Sequence, residues 1–281
     1  MSWKLPPGRV PPPSPPDALT RTLGPRLAAV AHRVGECDVV VDVGTDHGRL
    51  PIALVKAGLV QRAVAIDIHE EPLAGARARA ERAGVSDKMT FLLGNGLLPL
   101  AAMTAQVVTI AGVGGALVGR VLREHKPEQY GIRRVVAQPM SEERVLRAMV
   151  SGTAWQIVDE KLVVEAGRLF LVVVLEHQAA PTVALDVEDV VLGPCLRHST
   201  TPVLAYWLYV QERWLGERQG ARAARGADVD VDNRAALPGE MGEPDVSGAR
   251  WPTDGTEPEL DPALHLKVVQ DALRALSLPE Q

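Results

Sequence analysis

Hydrophobic positions recur along this chain in two alternating rhythms. Short β-branched runs predict strands over about 38–43, 62–67, 88–93, 105–111 and 132–138, because Val and Ile pack well on a pleated surface. Between them, apolar residues three and four apart predict helices over 49–57, 70–84, 114–125 and 141–150. A helix over 18–34 precedes the first strand, with Leu19, Leu23, Leu27, Val30 and Val34 along one face. Two last apolar runs, 154–164 and 168–176, are joined by Ala166-Gly167 as a hairpin. The expected fold class is α/β: a doubly wound, mostly parallel, Rossmann-like sheet with a closing antiparallel hairpin.

Both ends of the chain depart from that rhythm. Residues 1–16 hold seven prolines, so 1–17 is expected to be a disordered arm. Further on, Thr201-Pro202 and Asp261-Pro262 each set a capping residue before a proline at a first helical position. Val203, Trp207, Val210 and Trp214 follow the first pair; Leu266, Val269, Leu273 and Leu276 follow the second. These heptad-like seams predict an antiparallel helical hairpin at the C-terminus. A Gly-, Ala- and Asp-rich stretch at about 220–258 interrupts it and reads as a disordered acidic insert. The domain plan is a sheet domain over 18–178 and a helical extension over 179–281.

Composition narrows the setting. With 46% hydrophobic residues among 281, the chain can bury a substantial core. Cys37 and Cys195 are its two cysteines, far apart and without metal-ligand spacing. That argues against a disulfide framework or a structural zinc and for a reducing cytoplasm. Prolines stand where a signal peptide needs an apolar core, and no apolar run nears the roughly 20 residues of a membrane span. No membrane contact is expected. The net charge of −5 is unevenly spread: residues 227–261 carry ten acids and two arginines, leaving 28 basic and 25 acidic residues elsewhere. Charge therefore does not exclude an RNA partner.

The candidate chemistry begins where the first strand ends, in VDVGTDHGRLP. A doubly wound sheet binds ligands at the carboxyl ends of its strands. Here Asp42, Gly44 and Gly48 form D-x-G-x-x-x-G, a turn whose glycines let backbone approach a ligand. This is not G-x-G-x-x-G, and a pyrophosphate would sit poorly between Asp42 and Asp46. A ligand with a cationic centre, such as S-adenosylmethionine, suits the pair better. Asp67 closes the second strand, where an acid accepts hydrogen bonds from ribose hydroxyls of NAD and S-adenosylmethionine equally. Asn95, between two glycines after the third strand, can meet an adenine edge. Gly112, Gly114 and Gly115, after the fourth, leave a cavity floor with little side chain for a flat acceptor base. The hairpin favours S-adenosylmethionine over NAD, because NAD-binding domains usually end on a parallel strand.

Taken in order, VDVGTDHGRLP, GNGL, IAGVGG and AQP resemble the bacterial tRNA (adenine(22)-N1)-methyltransferase family. The resemblance covers about residues 19–176 well and the two-helix tail loosely. It implies a class I methyltransferase domain using S-adenosylmethionine, with a C-terminal coiled-coil extension that helps engage tRNA. It further implies Asp42, Gly44 and Gly48 in the cofactor loop, Asp67 at the ribose and Asn95 near the adenine; Gly112 and Gly114, at the end of the fourth strand, complete the candidate cofactor-binding set. Asp46 and His47 match a characteristic pair beside the reaction centre, and Gln138-Pro139, which match the family's Gln-Pro, join them as the catalytic candidates. Several positions depart from the pattern. Met140 stands where most members have Asn, Asn95 where Asp is usual, and Phe170-Leu171 where Tyr-Glu is usual; the acidic insert is atypical as well.

Adenine N1 is a neutral nitrogen that attacks a sulfonium methyl group without prior loss of a proton. Positioning carries most of the catalysis, and a nearby carboxylate, for which Asp46 is the candidate, stabilises the charge gained by the base. His47 orients Asp46 or the substrate, or is simply bonded within the turn. For tRNA, Arg21, Arg26 and Arg33 on the first helix and Arg213 and Arg218 on the tail are the candidate contacts. Tyr206 and Tyr209 are candidates for base stacking or for packing the hairpin. A monomer or weak dimer is expected. Two other functions stay open: a cofactor-binding protein impaired in catalysis that serves as an RNA- or protein-interaction module, and a small-molecule methyltransferase.

Overall fold

The computed structural model describes residues 16–101, 103–199, 204, 207–208, 211–212 and 262–276. The Pro-rich arm up to residue 15, the acidic insert, Thr201-Pro202, Val203, Tyr206, Tyr209, Val210, Arg213, Trp214, Arg218 and Asp261 lie outside the described residues. The sheet strands are β1 Cys37–Val43, β2 Val60–Asp67, β3 Met89–Leu93, β4 Val107–Val113, β5 Arg134–Pro139, β6 Trp155–Glu165 and β7 Arg168–His177. They form one seven-stranded sheet in the order β3-β2-β1-β4-β5-β7-β6. Pairings among β1 to β5 are parallel, while β7 runs antiparallel to both β5 and β6. Strand order reverses beside β1, so the crevice above β1 and β4 is the topological switch point.

Helices cover both faces: α1 Ala18–Leu23, α2 Pro25–Val34, α3 Arg49–Lys56, α4 Glu70–Ala83, α5 Gly115–His125, α6 Glu143–Val150 and α7 Val187–Leu192, followed by a C-terminal helix Pro262–Leu276. Strand alternation divides the core. Val40, Ala63, Ala65, Val107 and Val136 pack toward α2 and α3. Val41, Val64, Ile66, Val108, Ile110 and Val135 pack toward α5 and α6. That second cluster continues through Val191, Leu192 and Leu196 to Leu204, Trp207, Leu208 and Val269. The C-terminal segment thus shares the core of one sheet face.

The helix expected over 18–34 is two helices. Gly24 stands between them at φ +83°, and Pro25 opens α2 at its first position, where its missing N–H costs nothing. Asp17 caps α1 through Thr20 N–H at 2.7 Å. The Arg26 N–H is capped from far along the chain by Glu165 Oε2 at 2.9 Å. A side chain at Gly24 would collide with that carboxylate. Helix α7 falls where no helix was expected; six residues behind an Asp186 cap are too short for a 3.6-residue period to register. No described helix is long and apolar enough to cross a membrane.

Candidate functional site

The carboxyl ends of β1 to β5 share one edge of the sheet, and that edge carries every residue expected to hold a cofactor or act in catalysis. Asp42 lies beneath the first loop, 4% exposed. Its two carboxylate oxygens accept from Thr109 Oγ1 at 2.6 Å and Thr45 Oγ1 at 2.7 Å. Asp42 and Thr109 are register partners across β1 and β4, so the carboxylate ties the turn to the neighbouring strand. Burial pushes the Asp42 carboxyl up to about 6, against the opposing pull of the two hydroxyls.

The Asp67 carboxylate organises the same loop from β2. One oxygen accepts the Asp46 N–H and the other the His69 N–H, both at 3.0 Å. Asp46 takes the left-handed conformation, φ +52°, which aspartate tolerates better than most residues. His47 lies on the α4 side of the loop: its Nδ1 would be 2.8 Å from a Cβ on Gly75. Asp46 Oδ1 stands 3.7 Å from His47 Nε2. Asp67 of β2 thus fixes the Asp46 backbone, and His47 lies against α4 at Gly75.

The glycines separate into two kinds. At Gly44 (φ +70°) and Gly112 (φ +84°) an added Cβ would meet nothing within 4 Å. At Gly48 it would press on Ala76 and Ile52, and at Gly114 on the carboxylate of Glu142 at 2.6 Å. At Gly115 it would collide with the Glu142 carbonyl. The expected open floor over Gly112, Gly114 and Gly115 is thus open only at Gly112. The other two glycines let the loop after β5 close over the loop after β4, with Gly115 N–H on Ser141 O at 2.8 Å.

Asn95 is exposed at the end of β3. Its loop is held by His125 at the end of α5, whose Nδ1 accepts the Leu97 N–H at 2.9 Å. At the strand ends and loops along this edge Ile68, Leu93, Leu98 and Met140 are each at least half exposed.

Gln138 and Arg26 differ from expectation. Gln138 is fully buried, its Oε1 accepting from Arg26 Nη1 and its Nε2 donating to Pro139 O. Pro139 is buried beside it. The Arg26 guanidinium lies 5.5 Å from the centre of the Phe170 ring and 4.0 Å from Glu165. Arg26 therefore turns inward, linking α2, β5 and the hairpin, instead of facing solvent as a free phosphate contact. Arg33 is likewise engaged, with Nε 2.7 Å from Asp159 Oδ2. Arg21 is exposed and donates to Pro16 O. Leu171 is core. Sequence reasoning missed Thr45, Thr109, Gly75, His125 and Glu142. Their roles come from long-range packing that no local spacing encodes.

Comparison with known proteins adds an independent line. The family model described as "Methyltransferase domain" matches residues 23–173. The tRNA (adenine(22)-N(1))-methyltransferase of Bacillus subtilis is 30% identical over 154 residues, which cover 55% of this chain and 65% of that protein. The match thus spans just under two thirds of that relative. A putative tRNA methyltransferase of Mycoplasma pneumoniae is 32% identical over 161 residues, covering 57% of this chain and 73% of the relative. The crystal structure of a putative tRNA (m1A22) methyltransferase from Streptococcus pneumoniae, in complex with S-adenosyl-L-methionine, superposes with a TM-score of 0.67. It is 26% identical, over 88% of this chain and 98% of that one.

Proposed function

The chain belongs to the methyltransferase-domain family, and from that membership we propose that it transfers a methyl group from S-adenosylmethionine to N1 of an adenine in tRNA. The observation that carries this reading is the pairing of open glycines with a loop-organising acid at the switch point. Gly44 and Gly112 leave room against the backbone on either side of β1 and β4. Asp67 spends one lone pair of each oxygen on a backbone N–H, leaving acceptor capacity for ribose hydroxyls. These groups, with the apolar Ile68 and the Asn95 amide, fit a nucleoside with a cationic tail, and the buried Asp42 beneath them favours positive charge. When bound, S-adenosylmethionine supplies a methyl group activated by positively charged sulfur.

The chain's own residues then have the task of orientation. The Asp42–Thr45–Thr109 bonds and the Asp46–Asp67 bond fix the β1 loop before any ligand arrives, so little ordering cost remains at the moment of binding. Gln138 is a positioning residue in this reading: with Arg26 it holds the end of β5 beside Met140. We read residues 18–178 as the catalytic unit and 179–281 as the extension that engages tRNA. Of the arginines on the first two helices, Arg21 is the exposed one: Nη1 donates to Pro16 O and its other N–H groups are left for phosphate, while Arg26 and Arg33 are committed internally. A second reading, cofactor binding without transfer, is favoured by Met140, a half-exposed thioether where an amide would grip the acceptor.

Calorimetric titration with S-adenosylmethionine and with its demethylated product tests the cofactor assignment. One site of similar affinity for both is expected. Absence of binding by either compound would remove both readings together.

A further inference from the structure

Glu142 stands out among the charged side chains at this edge. It follows β5 and takes the left-handed conformation, φ 59°, ψ 33°, at the N-cap of α6. A non-glycine residue is strained there. The neighbouring loop accommodates it: Gly114 lies against its carboxylate, and Gly115 lies so close beneath its carbonyl that the backbone leaves no room for a side chain there. Its carbonyl accepts the Leu146 N–H of α6 at 3.1 Å. Its carboxylate makes no hydrogen bond or ion pair with any described residue, and the side chain is exposed. The Glu142 carboxylate thus stands over Gly114, in the loop that follows β4, on the same sheet edge as the open Gly112 and the exposed Met140. A helix cap needs none of this, because glycine or asparagine would cap α6 with less strain.

Resting on the proposed adenine-N1 transfer, we infer that Glu142 is the carboxylate that faces the acceptor base, accepting a hydrogen bond from its exocyclic amine. In the transfer the N1 lone pair becomes the new N–C bond, the C–S bonding pair stays on sulfur, and no proton moves. The positive charge passes from sulfur to the base, where it spreads over N1 and the exocyclic nitrogen. A carboxylate at that amine gains attraction as the charge develops, which is stabilisation realised in the transition state. Asp46 is less suited to the role, because its carboxylate already has a neighbour in His47 Nε2 at 3.7 Å, whereas Glu142 has none among the described residues. Glu142 also selects adenine, whose exocyclic group donates, over guanine, whose corresponding oxygen would face the carboxylate with lone pairs.

Three measurements on wild type, Glu142→Gln and Glu142→Gly test this: methyl transfer to unmodified tRNA, S-adenosylmethionine affinity, and the thermal midpoint. Expected for both variants is a kcat lower by about 10- to 100-fold. That range lies below the roughly 10²–10³ of a water-excluded donor because this carboxylate is exposed. Cofactor affinity stays within about twofold, and Glu142→Gly melts at or above the wild-type temperature as the left-handed strain is relieved. Wild-type kcat in both variants overturns the inference alone. So does a fall in melting temperature of Glu142→Gly that accompanies its loss of rate, since that marks a structural role. A wild-type protein that methylates no tRNA overturns the parent reading and this inference with it.

Discussion

The C-terminal extension is joined to the sheet by an ion pair with no exposure on either side chain, and its removal has a calculable cost. Arg147 of α6 donates through Nε to Glu160 Oε1 of β6 at 2.8 Å, and through Nη1 to the Val190 and Val191 carbonyls at the end of α7, each at 3.2 Å. Glu160 Oε2 in turn accepts the Cys195 N–H at 3.1 Å. Gly193 is obligatory, since any Cβ would strike both charged groups. Arg147→Met keeps most of the side-chain volume but leaves a buried carboxylate facing a single N–H. Breaking a buried pair in this way costs about 3–5 kcal/mol, and at about 2–4 °C per kcal/mol the melting midpoint falls by roughly 6–20 °C. If the orphaned charge is the cause, adding Glu160→Gln to Arg147→Met restores more than about 1 kcal/mol, because a neutral amide still offers an acceptor to Cys195. Urea and thermal unfolding followed by circular dichroism at neutral pH measure all three variants. A loss below about 1 kcal/mol for Arg147→Met, or a double variant less stable than Arg147→Met alone, refutes the reasoning.

Asp42 gives the fold a pH dependence of defined sign. Its folded pKa of about 6 lies above the ordinary 3.8, so between those values the folded chain holds a proton that the unfolded chain releases. Stability from this group is complete below about 3.8 and lost as pH rises through about 6, by about 3 kcal/mol in all. Asp42→Asn therefore flattens the difference between stabilities measured at pH 4.5 and pH 7.5, and an unchanged slope would contradict the assignment. Gly44→Ala costs about 1–2 kcal/mol of stability from its left-handed backbone, while S-adenosylmethionine affinity falls by at least about tenfold as the methyl fills the open space. Undiminished affinity in calorimetry would put the cofactor elsewhere.

Much of the fold is legible in the sequence because burial on a doubly wound sheet leaves long β-branched runs, and each expected strand of 38–43 to 132–138 is found within two residues of its place. The helix over 18–34 was read through Gly24-Pro25 because the apolar face continues across the break; only the distant Glu165 reveals why the chain turns there. The site was legible to the level of which loops meet. It was not legible which glycines open on space and which admit a neighbour: Gly112 and Gly114 look alike in sequence, and the difference is the Glu142 carboxylate. In the sequence Arg26 reads as a surface cation, because helical spacing says nothing about Gln138 and Phe170, more than a hundred residues away.

Transfer to adenine N1 is read straight from the methylated RNA. Wild-type protein is incubated with methyl-labelled S-adenosylmethionine and unmodified tRNA transcripts, and the digested RNA is analysed by chromatography and mass spectrometry. Label is expected on N1 of adenine at one tRNA position. Cofactor binding with no label in any tRNA, or label on a different atom, would contradict it.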